Sequence, residues 1–221
     1  MRKALIIILI IFLPLYSLLK SIEINVFNKN FYLKSYEEYN VPEITGKSLV
    51  ELDNITHELL KYIKGQSDER ILKPFFNERE IKHMEDVNVL FKYGFFLKNI
   101  SLILSLLVVI TFLYQNEVQK AFKGVFYGNF IWWGLVLLLF FASTIDFNKY
   151  FTYFHLIFFD NDLWLLDPET DLLIQMLPEE FFIDIFKRIV LFFISMLAII
   201  QMTGYILMKK GKDGGGRTIN F

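Results

Sequence analysis

The chain has 221 residues, 54% of them hydrophobic, a formal net charge of -1 and no cysteine. The missing cysteine excludes disulfides, thiolate nucleophiles, Cys-ligated metals and lipidation on Cys; the net charge says nothing about nucleic acid, and no basic stripe suggests such a partner. The mean hydropathy of +0.41 is high, and the apolar residues gather in four runs separated by charged segments, the pattern of a membrane protein.

The first run, residues 4–20, is slightly short for a ~30 Å hydrocarbon core at ~1.5 Å per residue. Arg2, Lys3 and Lys20 lengthen it by snorkelling, and Pro14 predicts a kink. A cleavable signal peptide is the rival reading; the length of the run and the lack of an A-x-A-like site favour an uncleaved anchor. Residues 21–94 come next and are long enough for a small cap of helices. Within them, residues 45–64 place Leu52, Ile55, Leu59 and Ile63 on one helical face, with Gly65 as the stop. QSDER is a loop. Asn77 then caps a second helix with Glu80 as its capping-box partner. That helix passes through His83, Asp86, Leu90 and Tyr93 into a span at residues 95–114.

A third span covers residues 125–145 and a fourth residues 188–208, where Gln201, Thr203 and Gly204 suit helix packing. Between them lies the acidic connection 146–187. Its opening, FNKYFTYFHLIFF at 147–159, is apolar and aromatic but too short to span, so it reads as an interfacial or re-entrant helix. Asp167 with Pro168 reads as N-cap and N1 of a short helix. Pro178 with Glu179 and Glu180 starts another, leading toward the last span. The Gly-rich tail, residues 211–221, is expected to be disordered. The expected architecture is an all-α polytopic membrane protein: one integral membrane domain over 1–221, with four transmembrane helices and a helical extracytoplasmic cap.

Orientation follows from cations near the span ends. Arg2 and Lys3, Lys120 and Lys123, and Lys209, Lys210, Lys212 and Arg217 fall in three segments that share one side of a four-span protein. The positive-inside rule makes that side cytoplasmic and turns segments 21–94 and 146–187 outward; Lys187 and Arg188 cut mildly against it.

The chain has three histidines, His57, His83 and His155, all in the segments assigned to the outside. Histidine titrates near neutral pH and is the usual general base. His83 precedes Asp86 by three residues, so both share a helical face. His155 sits in an aromatic run where an unpaired polar ring is costly, so it should have a partner or a task. The bland alternative makes each an ordinary surface or interfacial residue, and His57, in a charged amphipathic helix, fits that alternative best. Asp160, Asp162 and Asp171 superficially match a calcium loop, but Leu165 stands where its glycine belongs. No zinc, nucleophile-elbow or nucleotide motif is present. The residues alone therefore point to a membrane enzyme or binding protein at the outer leaflet, with His and Asp as its chemical groups.

Two stretches go further. FNEREIKHMEDVNVLF, residues 76–91, carries an H-M-x-D-V pattern, and YFTYFHLIFFDNDLWLLDPETDLLIQMLPEEFF, residues 150–182, is long and unusual. Both, in this order and on a four-span layout, resemble the lipoprotein intramolecular transacylase family of bacterial integral membrane proteins. The resemblance implies transfer of the sn-2 acyl chain of a diacylglyceryl-cysteine lipoprotein to the cysteine α-amino group, giving a lyso-form lipoprotein. It implies no energy cofactor and no second acyl donor, because donor ester and acceptor amine belong to one molecule; no cofactor and no metal are expected. Diacylglyceryl-modified lipoproteins and membrane lipids are the expected partners, in a bacterial cell membrane with the site facing outward. Each of the two stretches contributes one histidine, so His83 and His155 are expected to meet as base and oxyanion stabiliser, with Asp86 or Asp167 orienting an imidazole. The alternatives are a non-catalytic scaffold or sensor, and a phospholipase that uses His-activated water.

Overall fold

The computed structural model describes residues 2–213, except for the side chains of 142–144 and 210–213. Every element among these residues is helical. In chain order they are α1 (Arg2–Val26), α2 (Lys29–Glu38), α3 (Val41–Thr45), α4 (Leu49–Ile63), a single 3-10 turn (Glu69–Ile71), α5 (Glu78–Tyr114), α6 (Val118–Ile145), α7 (Phe147–Phe158), α8 (Leu172–Met176) and α9 (Glu179–Asp213). Four of them, α1, α5, α6 and α9, are long and apolar enough to cross a membrane. The described residues form two compact units, one of 2–21, 96–141 and 189–213, the other of 22–95 and 142–188.

The first unit packs by shape. Leu9, Val108, Phe112, Ala121 and Val125 make its core, flanked by Ile6, Val109 and Ile200. Gly124 and Gly128 of α6 let α1 approach closely. A Cβ on Gly124 would lie 2.3 Å from Ile6 Cγ2, and one on Gly128 would lie 2.5 Å from Ile10 Cδ1. This is the small-residue contact expected where lipid removes any hydrophobic gain from association. Polar groups reinforce it. Asn129 donates to Gln201 Oε1 at 2.8 Å, Gln201 donates to the Phe126 carbonyl at 2.9 Å, and Trp132 donates to the Ile10 carbonyl at 2.9 Å. Gln201 and Gly204 thus pack as their positions suggest, while Thr203 is exposed.

The second unit has an ordinary buried core. Tyr36, Val41, Leu52, Leu72 and Met176 are fully buried, and Leu59 and Phe181 nearly so. The Thr56 hydroxyl donates to the Leu52 carbonyl at 2.8 Å, so Tyr36, 2.7 Å away, is the donor to Thr56. The amphipathic helix starts later than its apolar face suggests. Ser48 and Glu51 form a capping box that fixes Leu49 as its first residue, and Thr45 ends α3 instead. Gly65 stops the helix at φ +72, a conformation glycine adopts without strain.

The helix start assigned to Asp167 is corrected. Asp167 accepts from the Glu169 N–H at 2.9 Å and closes a single turn, and α8 begins only after Asp171. The other start holds: α9 opens at Glu179, directly after Pro178. α9 continues to Asp213, so residues 211–213 are helical; the remainder of the expected disordered tail lies outside the described residues.

Candidate active site

Three sequence features position the imidazoles of His83 and His155 within the second unit. The first is the start of α5. Asn77 Oδ1 accepts from the Glu80 N–H at 3.0 Å and Glu80 Oε2 accepts from the Asn77 N–H at 2.7 Å, the reciprocal capping box expected of N-x-x-E. Glu80 is almost fully buried, and its other oxygen accepts from the Leu173 N–H at 2.6 Å. Asn77 also donates to Asp171 Oδ1 at 2.8 Å, and Asp171 Oδ2 accepts from the Asp167 N–H at 2.8 Å. Two carboxylates therefore anchor the 167–173 segment on the first turn of α5, one turn before His83. Burial, with Asp171 close by, raises the Glu80 carboxyl above its ordinary range, and the two N–H donors oppose the rise.

The second feature is α7, which Asp146 caps by accepting from the Lys149 N–H at 3.0 Å. Phe151 packs on Phe182, with ring centroids 4.8 Å apart. One turn later the His155 ring meets Phe151 edge-on at 4.4 Å, and its Nδ1 lies 2.8 Å from the Phe151 carbonyl. A carbonyl only accepts, so the neutral ring carries its proton on Nδ1 and leaves the lone pair on Nε2.

The third is the loop after α7. Asn161 Oδ1 accepts from the Leu163 N–H at 3.0 Å, and the Asn161 carbonyl accepts from the Trp164 indole at 3.0 Å. The indole stacks on His155 at 4.7 Å between centroids with planes 25° apart.

The result is a histidine pair. The His83 and His155 rings lie 6.1 Å apart, tilted by 36°, with Phe159 at 5.4 Å from the first and 5.6 Å from the second. Both are buried, at 8% and 6% exposure. Burial pushes His83 down to about 4, the neighbouring His155 pushes the same way and Asp86 pulls back; burial lowers His155 too, against the lift from the Phe151 carbonyl. Both rings are thus neutral at pH 7, the form that can accept a proton. His83 Nδ1 is buried without a hydrogen-bond partner.

Of the four residues singled out in the sequence, His83 and His155 come together and Asp86 stands beside them. Asp86 acts on His83 through its charge; its hydrogen bond, at 2.9 Å, comes from Asn161. Asp167 serves its own turn and Asp171. His57 is exposed on α4. Asp162 takes its contacts from Arg79, which donates to the Asp162 carbonyl and lies 3.7 Å from its carboxylate. Sequence reasoning missed the second role of Glu80, and it missed Asn161 and Trp164. The Asn161 turn had a signal, since Asn two residues before a bonded N–H is an Asx turn; the stacking had none. A groove of about 520 Å³ lined by Phe126, Phe130, Trp133, Met202 and Tyr205 belongs to the first unit and contains no histidine.

Comparison with known proteins bears on the fold and the family. The solved membrane-integral lipoprotein intramolecular transacylase Lit of Bacillus cereus has a TM-score of 0.86 at 22% identity, covering 96% of this chain and 98% of that one. A structure of the Bacillus cereus protein with one histidine replaced by arginine gives a TM-score of 0.81 at 21% identity, covering 97% of this chain and 95% of that one. At these identities the likeness establishes the fold, an all-α polytopic membrane protein. An uncharacterized protein of Aquifex aeolicus (strain VF5) is 29% identical over 98% of this chain and 100% of its own length. The family described as lipoprotein intramolecular transacylase Lit matches residues 7–182, and the chain belongs to that family.

Proposed function

We propose that this chain, an acyltransferase by family, moves the sn-2 acyl chain of a diacylglyceryl-cysteine lipoprotein to the cysteine α-amino group through His83 and His155. The observation that carries the residue assignment is the meeting of two buried, neutral imidazoles at 6.1 Å, one with its tautomer set by a backbone carbonyl. The reaction needs no group from outside. The amine nitrogen bonds to the ester carbonyl carbon, the sn-2 C–O bond breaks, and the proton lost by nitrogen ends on the departing oxygen. An α-amine has a pKa of roughly 7.7–8.0 and attacks only as the free base. His155 Nε2, with its lone pair free, takes that proton and returns it to the leaving oxygen. His83, held neutral, keeps an N–H to donate to the carbonyl oxygen as charge develops there. Asp86 acts on His83 electrostatically, and Asp167 acts through the turn that joins it to Asp171. Holding amine and ester together accounts for much of the rate, since well-oriented intramolecular reactions reach effective molarities of about 10⁵ M or more.

The site faces outward in this reading, supported by the cations at the other ends of the spans. Membrane lipids surround the four spans and are partners in that sense. The test is incubation of the purified protein with a synthetic diacylglyceryl-cysteine peptide, reading acyl position by tandem mass spectrometry. N-acyl, S-monoacylglyceryl peptide is expected, falling at least about 100-fold in His83→Ala and in His155→Ala. Full product in both variants would remove the histidines from the mechanism. Free fatty acid would indicate a phospholipase, and absence of any product a scaffold.

A further inference from the structure

We propose that Trp164 is a positioning residue for His155: its indole, stacked on the imidazole and clamped through Asn161 to Asp86, fixes the ring plane and offers a π face to the charge the ring takes up. The inference rests on His155 acting as the base. Its evidence is a continuous chain of contacts. Asp86 on α5 accepts from the Asn161 side chain at 2.9 Å, Asn161 accepts from the Trp164 indole N–H at 3.0 Å, and the indole lies 25° from parallel to the imidazole at 4.7 Å. Asn161 also closes its own turn on Leu163, so the segment between α7 and the indole has little freedom.

Two constraints then act on one ring. The Phe151 carbonyl fixes the rotation of His155 by holding Nδ1, and the indole fixes the plane from one face. A proton arriving on Nε2 makes the ring an imidazolium, and the electron-rich face of tryptophan is the best aromatic partner for a cation. Burial alone makes His155 a weaker base; the indole works against that loss at the moment of proton transfer. Phe151, Phe154 and Phe159, the phenyl rings around His155, stand tilted or edge-on and do not present a parallel face. The titratable ring that meets His155 is His83 of α5, with Asp86 one turn further along that helix and Asp160 and Asp162 in the loop; α7 itself carries Lys149, Tyr150 and Tyr153. This assigns Asp86 a second task beyond its charge on His83, and the two tasks separate by substitution.

Fluorinated tryptophans placed at position 164 of the full-length protein keep the shape of the indole while weakening its face. The expected result is a fall in N-acyl product rate of about threefold to tenfold across the series. The acid limb of the pH–rate profile should move to lower pH, because a less stabilised imidazolium loses its proton more readily. Trp164→Leu, which opens the ring to water as well, should move that limb toward the ordinary imidazole value instead. A limb that stays put across the fluorinated series overturns the role of the π face. For the clamp, Asp86→Asn removes the charge beside His83 but keeps an acceptor for Asn161, so Asp86→Ala should lose several-fold more rate than Asp86→Asn. Asn161→Ala should lose several-fold in the Asp86→Asn background and nothing further in the Asp86→Ala background. Additive losses overturn the clamp. Wild-type product from both histidine-to-alanine variants overturns the underlying reading and this inference with it. A flat fluorinated series in a protein whose histidine variants are inactive overturns this inference alone.

Discussion

The two units of this protein treat buried polar groups differently. In the membrane-spanning unit most buried hydroxyls stay local: Ser17, Ser21, Ser101 and Ser105 each donate to the carbonyl four residues back in their own helix. The second unit reaches far along the chain instead, from Glu80 to Leu173, from Asn77 to Asp171, from Asn88 to the Tyr62 carbonyl. Lipid leaves a helix no solvent for its polar groups, so its hydroxyls are satisfied at home, while shape and a few amide and indole bonds do the packing. Where water is the alternative partner, a long-range network is worth forming only if its members are fully satisfied, and then it specifies position. The histidine pair sits in the unit of that second kind.

That contrast breaks first at Glu80. Glu80→Ala strands the N–H groups of Leu173 and Asn77 and should cost about 2–4 kcal/mol. Thermal unfolding in detergent should show the loss, together with reduced N-acyl product as His83 loses its anchored turn. Glu80→Gln, which keeps the shape and one acceptor, should fall between.

Acid is the next probe. His83 has a folded value of about 4 against an ordinary 6.5, so between these the unfolded chain binds the proton and the folded protein does not. Stability should therefore be flat above roughly pH 6.5 and fall as pH drops toward 4, by about 3 kcal/mol at most. Unfolding of the His83→Gln variant across that window should show a shallower slope.

In the membrane-spanning unit the corresponding probe is steric. Gly128→Leu drives a branched side chain into Ile10 and should destabilise by about 1–3 kcal/mol. Gly134→Ala, in open space on the same helix, should be neutral or slightly stabilising, by up to about 1 kcal/mol. Equal losses at both would mean that α1 and α6 do not rely on the close approach. The smallest effect is expected at Ser48→Ala, which removes a capping box and should lower stability by about 1 kcal/mol with product formation unchanged.

Much of this organisation can be read from residues. Charge-free apolar runs reveal the long helices, and N-x-x-E at Asn77 reveals the start of α5, because both are local rules. The boundaries that shifted did so for equally local reasons: the amphipathic face at residues 45–64 runs past the true helix start, and S-x-x-E at Ser48 was the overriding signal. The Asp167–Pro168 pair misleads because the Asp171 carboxylate, held by Asn77, pulls the backbone N–H of Asp167 into a different turn. Periodicity has no way to express a bond between residues so far apart. The same limit explains the site. His83 and His155 stand out by residue type and by the two family-like stretches, but the tautomer of His155 and the indole against it are products of folding.

Phe159 borders both imidazoles, and on the transfer reading its ring also bears on which nucleophile wins. An activated ester open to solvent is hydrolysed, and the acyl chain leaves as soap. A hydrocarbon wall beside the base denies bulk water the place that the tethered amine occupies, so aminolysis prevails by exclusion. Fidelity of transfer then depends on a residue that exchanges no proton at all.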